Sequence, residues 1–263
     1  MEKTYNYWDL KQVGHLLHLY LNRPLAFNSL TSSMLYELRE ISQSLQNNPD
    51  IWAIVVEGKG DHFSAGVDIG LIKPLSKLKP EFFESELRDL QNCLDEFARL
   101  PQPKIAKIRG YCIGGGLVLA SICDFRIAAD TAKFSLPEVK IGIAVIMGTK
   151  RITDLAGLAN TKEMILLGEM FDASKAQFYG LLNEVVALNE LDNKVNALAD
   201  KFNFLPPRTV QIAKKIIEEG LQLDLKDSQK LEVALQSSLI GSEDWDEAIK
   251  SYFEKRPPNF IGH

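Results

Sequence analysis

The sequence predicts an α/β fold on three observations. Short β-rich runs alternate with amphipathic helical runs as far as Thr149, the pattern of a layered α/β domain. Beyond Thr149 helical periodicity dominates. Apolar residues make up 46% of the 263 positions, enough to fill a well-buried core. At about 150 residues per domain, this length suits one large α/β domain as well as two smaller ones. The expected organisation is an α/β core with adjoining helices over 1–195, then a helical region over 196–263.

Each element has its own signal. Val13 to Leu21 alternates loosely and reads as a strand, ended by Asn22-Arg23-Pro24. Thr31 or Ser32 can cap a helix in which Met34, Leu35, Leu38, Ile41 and Leu45 recur at helical spacing. Ile51 to Glu57 is a short β-rich run closed by Gly58. Glu81 to Leu100 is amphipathic, with Phe83, Leu87, Leu90, Leu94 and Phe97 on one side, and Pro101 and Pro103 stop it. Lys104 to Arg109 reads as a buried strand. Gly114-Gly115-Gly116 leads into a short helix from Leu117 to Cys123, and Phe125 to Ala129 and Phe134 to Leu136 read as extended. Helices are then expected over Thr161 to Glu169, Glu190 to Phe202, Thr209 to Leu221, Ser228 to Ser238 and Asp244 to Glu254.

Composition removes several function classes. The formal net charge is −5 and no Lys/Arg run exceeds two, which argues against nucleic acid, whose phosphates demand a basic face. A polyphosphate ligand needs only a few local cations and stays open. No stretch approaches 18 uninterrupted apolar residues, so no membrane span is expected. Met1 to Lys11 holds no apolar run of the signal-peptide kind. Cys93, Cys112 and Cys123 are odd in number and form no Cys-x-x-Cys pair; free thiols in a reducing cytoplasm are the expectation.

Several motifs fail. Gly148-Thr149-Lys150 has the letters of a phosphate loop in the wrong order, and a dinucleotide Gly-x-Gly-x-x-Gly from Gly114 breaks at Leu119. There is no Gly-x-Ser-x-Gly elbow. His15, His18, His62 and His263 pair with nothing at metal-ligand spacing and read as structural or surface residues.

Two glycine segments remain, Phe63 to Ile69 and Arg109 to Gly116, each after an expected strand. The second sets bare glycines at a helix start, where the first N–H groups lack intrahelical partners and carry partial positive charge. That suits a developing oxyanion, and glycine permits close approach. Singly, each segment reads as a tight turn; as a pair they suggest an oxyanion hole. Glu138 follows Pro137 between apolar Phe134 and Val139. A carboxylate there reads as a solvated loop residue or, with its pKa raised by burial, as an acid or base.

Taken in order along nearly the whole chain, these residues resemble the enoyl-CoA hydratase/isomerase, or crotonase, superfamily. The matching pieces are Asn22-Arg23-Pro24 with Phe27-Asn28-Ser29-Leu30, the run Phe63 to Ile69, and Gly110 to Asp124. Leu167 to Ala173 and Gly180 to Val186 resemble the family's helical-region signatures, and Glu254-Lys255-Arg256 through Phe260 its C-terminus. The resemblance implies a spiral of ββα turns followed by C-terminal helices that assemble trimers, often paired into hexamers. It implies an acyl-coenzyme A thioester as substrate, with no metal, nicotinamide or flavin cofactor. The oxyanion donors would be the N–H groups of Val67 and Gly115. The Ala65 carbonyl would meet the adenine amino group and Lys255 the coenzyme A phosphates, with Asp68, Ile69 and Leu25 in the coenzyme A-binding group. Residues 71–80 are expected to help line the acyl pocket.

The departures bear on the reaction. Hydratases of this family carry two catalytic glutamates; one position matches Glu138 and the other is Val118. The loop that is normally rich in Pro and Gly reads Ile143 to Gly148 here, one residue shorter, and Gly70 replaces an expected lysine. Valine moves no proton. One glutamate beside an oxyanion hole can still shift a proton along an allylic system, so double-bond isomerisation is the favoured expectation. Hydration, decarboxylation or other enolate chemistry are alternatives, and a catalytically weak acyl-CoA-binding or assembly protein is the alternative of another class.

Overall fold

The computed structural model describes residues 4–70, 77 and 79–262. Strand β1 (Trp8–Val13) turns through Gly14 and His15 into antiparallel β2 (Leu16–Leu21), in register from Trp8 opposite Leu21 to Val13 opposite Leu16. The sequence pattern runs these together from Val13 and misses most of β1. That strand lies at the edge of the sheet with mostly exposed side chains, so burial imposes no alternation on it.

Next come β3 (Ala53–Gly58), β4 (Lys104–Ile108), β5 (Tyr111–Ile113), β6 (Phe125–Ala129) and β7 (Lys133–Ser135). Two further strands, β8 (Phe171–Asp172) and β9 (Glu184–Val186), fall where the sequence signatures suggest only helix. One sheet has six strands in the order β1-β2-β3-β4-β6-β9, parallel from β2 onward; the other has three, β5-β7-β8. Thus β4 and β5, and again β6 and β7, follow one another in the chain yet enter different sheets. These two turns each lay one strand in each sheet, as in the expected spiral.

Helix α1 (Ser32–Leu45) starts where Thr31 Oγ1 accepts the Met34 N–H at 3.2 Å, satisfying one orphan donor of the first turn. Its Met34, Leu35, Leu38, Ile41 and Leu45 are all buried, each worth roughly 1.5–3 kcal/mol by area. Helix α2 (Pro80–Ala98) buries Leu90, Cys93, Leu94 and Phe97, but Phe83 from the expected stripe is exposed along with Phe82. The short α3 (Gly115–Ser121) is buried from Gly116 onward. Helix α4 (Thr149–Leu167) begins a dozen residues before the expected Thr161 and kinks at Gly157, whose φ of 74° interrupts the periodicity.

After α5 (Ala173–Phe178), α6 (Leu191–Ala199) covers the other face of the large sheet, packing Leu191, Val195 and Ala199 on Val55, Ile105 and Ile127. Helices α7 (Pro207–Gly220), α8 (Leu225–Ser237) and α9 (Glu243–Glu254) complete the chain. Lys214 on α7 reaches the core, its Nζ 2.8 Å from Asp124 Oδ2. The C-terminal helices leave Ile217, Leu221, Val233, Ile249, Tyr252 and Phe253 exposed. Among the described residues no helix is long and apolar enough to cross a membrane, and Cys93, Cys112 and Cys123 are buried free thiols.

Candidate active site

Three consecutive turns of the spiral deliver the site. Ser64 bridges Cys112 of β5, and Cys112 lies opposite Phe134 of β7, all in parallel. The second pairing ends at Ile113 opposite Ser135, where the Gly114 N–H donates to the Ser135 carbonyl at 2.8 Å, and the segments that hold Val67, Gly115 and Glu138 leave the sheet just beyond these pairings. Adjacent parallel strands lie about 4.8 Å apart. Register therefore brings the ends of segments that are far apart in sequence to one place.

Local geometry then sharpens the meeting. A methyl placed on Gly115 would fall 3.5 Å from the Val67 nitrogen, and one on Gly66 would fall 3.4 Å from the Gly115 nitrogen. Neither the Val67 nor the Gly115 N–H donates to a partner among the described residues. The Gly66 carbonyl accepts from Leu30 N–H at 2.7 Å, while Asp68 N–H donates to the Leu30 carbonyl at 2.9 Å. This strand-like clamp leaves the Val67 N–H on the opposite side.

Gly114 has φ 50° and ψ −122°, a region closed to side chains, and a methyl there would meet Glu138 Oε1 at 2.6 Å. Only glycine lets the carboxylate approach this closely. Glu138 stands in the short 3₁₀ turn Pro137–Ile141. Its Oε2 is buried without a hydrogen-bond partner among the described residues, and burial pushes its pKa above the usual carboxylate range. One helical turn beyond Gly114, Val118 is buried and packs on Gly148, where an added methyl would lie 2.6 Å from Cγ2. Among the nearest atoms to Gly66, Gly114, Gly115, Gly116 and Gly148 in the described residues, the carboxylate oxygen is that of Glu138. Val145 is buried nearby in sequence, Ile146 is partly exposed, and Gln91 on α2 donates to the Ile146 carbonyl at 2.6 Å, tethering that loop.

The residues expected to bind coenzyme A divide into two groups. Ala65 donates its N–H to the Phe27 carbonyl at 2.9 Å, and its own carbonyl accepts no bond among the described residues. Leu25 is fully exposed and Ile69 largely so. Asp68 is engaged inside the protein. Its Oδ2 pairs with both terminal nitrogens of Arg23 at 3.0 Å and its Oδ1 accepts the Gly70 N–H at 2.8 Å. The Gly70 N–H, followed by Arg23, holds this carboxyl below its ordinary pKa. Lys255 caps α9 with a left-handed φ of 55° and is exposed. No hydrogen bond or ion pair among the described residues joins it to the glycine loops. Of the segment expected to line an acyl pocket, residues 71–76 and 78 lie outside the described residues, as does His263.

A layer behind the site carried no chemical signal in the sequence. Asn28 is fully buried, with φ 53°; its Oδ1 accepts Arg23 N–H at 3.0 Å, and its Nδ2 donates to the carbonyls of Lys59 and His62 at 2.9 and 2.8 Å. Ser64 Oγ donates to the Asn28 carbonyl at 2.8 Å. His62 Nδ1 accepts the Tyr111 N–H at 3.1 Å, and its ring stacks on Tyr111 at 4.5 Å. In the sequence Asn28, Ser64 and Tyr111 stood only as members of the runs Phe27-Asn28-Ser29-Leu30, Phe63 to Ile69 and Gly110 to Asp124.

Comparison with known proteins agrees with this arrangement. The family model described as enoyl-CoA hydratase/isomerase matches residues 12–263. A probable enoyl-CoA hydratase of Mycobacterium bovis is 34% identical over 241 residues, covering 91% of this chain and 92% of that protein. A peroxisomal Δ(3,5)-Δ(2,4)-dienoyl-CoA isomerase of Arabidopsis thaliana is 29% identical, covering 93% of this chain and 92% of that protein. The crystal structure of an enoyl-CoA hydratase from Bacillus anthracis superposes with a TM-score of 0.91 at 30% identity, covering 98% of this chain and all of that one. With the ββα spiral, the C-terminal helices and these matches in agreement, the chain belongs to the enoyl-CoA hydratase/isomerase family.

Proposed function

We propose that this enzyme holds the thioester oxygen of an acyl-coenzyme A between the N–H groups of Val67 and Gly115, and that Glu138 moves a proton at the adjacent carbon. The favoured reaction is conversion of a 3-enoyl to a 2-enoyl thioester. The carrying observation is the half-buried Glu138 carboxylate against Gly114, with Val118 packed on Gly148 where a second proton carrier would stand. Glu138 removes a proton from the α-carbon, the two N–H groups hold the dienolate oxygen, and the proton returns at the γ-carbon. One base suffices because each turnover regenerates it, and an apolar surround helps exclude water.

Hydration is the second reading, supported by the names of relatives such as the Mycobacterium bovis protein. It asks one residue both to activate water and to deliver a proton to the α-carbon. A panel of 2-enoyl-, 3-enoyl- and malonyl-type thioesters, followed by mass spectrometry, separates these cases. The expected result is faster loss of the 3-enoyl thioester by isomerisation than hydration of the 2-enoyl one. Efficient 3-hydroxyacyl product without isomerisation would replace the favoured reading, and a chain that binds every thioester but turns over none would be the weak binding or assembly protein.

In this reading the free Ala65 carbonyl receives the adenine amino group, with Leu25 and Ile69 beside the ligand and Lys255 toward its phosphates. Asp68 acts indirectly, by pinning the loop through Arg23. The protein is further proposed to assemble as a trimer or hexamer, because the apolar residues exposed on α7, α8 and α9 need a covering surface. Light scattering should return three or six times 29.5 kDa; a monomer at micromolar concentration rejects the assembly.

A further inference from the structure

We infer that Ser64 is a positioning residue whose hydroxyl sets the alignment of the Val67 and Gly115 N–H groups; this rests on the oxyanion reading above. Ser64 is fully buried and joins both halves of the site. Its main chain bonds the second glycine segment: its N–H donates to the Tyr111 carbonyl at 2.9 Å, and its carbonyl accepts the Ile113 N–H at 3.0 Å. Gly116 packs so closely that a methyl on it would lie 2.7 Å from Ser64 Cβ. Its side chain controls the first segment: Oγ accepts the Gly66 N–H at 3.2 Å while donating to the Asn28 carbonyl at 2.8 Å.

That bond falls where the backbone most needs holding. Gly66 has φ 92°, and a methyl there would strike the Ile113 carbonyl at 2.7 Å, so glycine is required. Glycine is also the residue with the most conformations to choose from. Two bonds remove that freedom. Ser64 Oγ fixes the N–H of Gly66, and Leu30 N–H fixes its carbonyl. The Gly66–Val67 peptide is trans, so anchoring its carbonyl on Leu30 points the Val67 N–H the other way. Asn28, with every side-chain amide group bonded, makes the far anchor of the Ser64 hydroxyl rigid. Alanine at 64 would fill nearly the same volume, so the hydroxyl serves orientation beyond packing.

The test uses acetoacetyl-coenzyme A, a 3-oxoacyl thioester whose α-carbon loses a proton to buffer, forming an enolate with a near-ultraviolet absorption band. An oxyanion site raises the bound enolate fraction without any turnover. Wild type should show the band, and Ser64→Ala should lower the enolate-to-keto ratio about tenfold, the size of one misaligned charge-assisted donor. Affinity for coenzyme A itself, by calorimetry, and the far-ultraviolet circular dichroism should not change. An equal enolate fraction in Ser64→Ala overturns the inference while leaving the oxyanion reading intact. No enolate band in wild type that binds coenzyme A overturns the oxyanion reading and the inference with it. If Ser64→Ala does not fold, Ser64→Cys, with its weaker acceptor, makes the same comparison, and a ratio equal to wild type again overturns the inference.

Discussion

On the proposed mechanism, Glu138→Gln should lower turnover by about 10²–10⁴-fold, the usual worth of a general acid–base group, and at the same time raise the melting temperature at neutral pH. The two effects share a cause. The carboxyl is pushed above its ordinary pKa by burial, and its Oε2 has no partner among the described residues. A group whose folded pKa is raised favours the fold below its unfolded pKa, near 4.3 for glutamate, and loses that contribution as pH rises through the folded value. Above the unfolded value the wild type therefore carries a penalty for burying this carboxyl, which the neutral amide does not. Thermal melts of both proteins from pH 4 to 8 should show a stabilised variant at the alkaline end and converging curves near about pH 4. Turnover of the wild type should fall with acidification through the raised pKa, since the base must be ionised to accept the α-proton. A variant that keeps its turnover removes Glu138 from the chemistry; one that is less stable at pH 7 than at pH 4, relative to wild type, contradicts the desolvation argument.

Gly115→Pro should cost at least about 10²–10³ in turnover, the typical loss of one oxyanion donor. Proline deletes the N–H and places its ring where the thioester oxygen would approach. The fold should persist, because Gly115 opens α3 and the first helical position tolerates proline. The added Cβ meets Val67 Cγ2 at 3.0 Å and Leu30 Cδ1 at 3.3 Å, contacts that side chains relieve by small shifts. Circular dichroism checks the fold, and coenzyme A affinity separates lost chemistry from lost binding. Unchanged turnover would place the thioester elsewhere.

The two glycine segments and Glu138 stood out in the sequence by residue type, bare glycines at a helix start and a carboxylate in apolar surroundings, while the proposed roles of Val67 and Gly115 came from the family resemblance. The supporting layer did not stand out. Asn28 and Ser64 are ordinary turn and loop residues until their partners, tens of positions away, are in place. Asp68 shows another side of this. The resemblance puts it in the coenzyme A-binding group, and only the structure shows its carboxylate bonded to Arg23 and Gly70.

By itself the sequence determined the helices whose apolar stripes extend over several turns, such as α1 with its Thr31 cap and α6 with Leu191, Val195 and Ala199. It determined the long buried strands, and the absence of a carboxylate at Val118. The tertiary structure decided the rest. Strands β5, β7 and β9 have three residues each, too few for an alternation to show. Edge strand β1 has little burial to pattern it. Above all, parallel pairing carries no local turn to announce its register. The approach of Gly115 to Val67, and of Gly114 to Glu138, is set up by the Ser64–Cys112 and Cys112–Phe134 alignments just before them. Those alignments exist only once two sheets and the helices between them pack as one core.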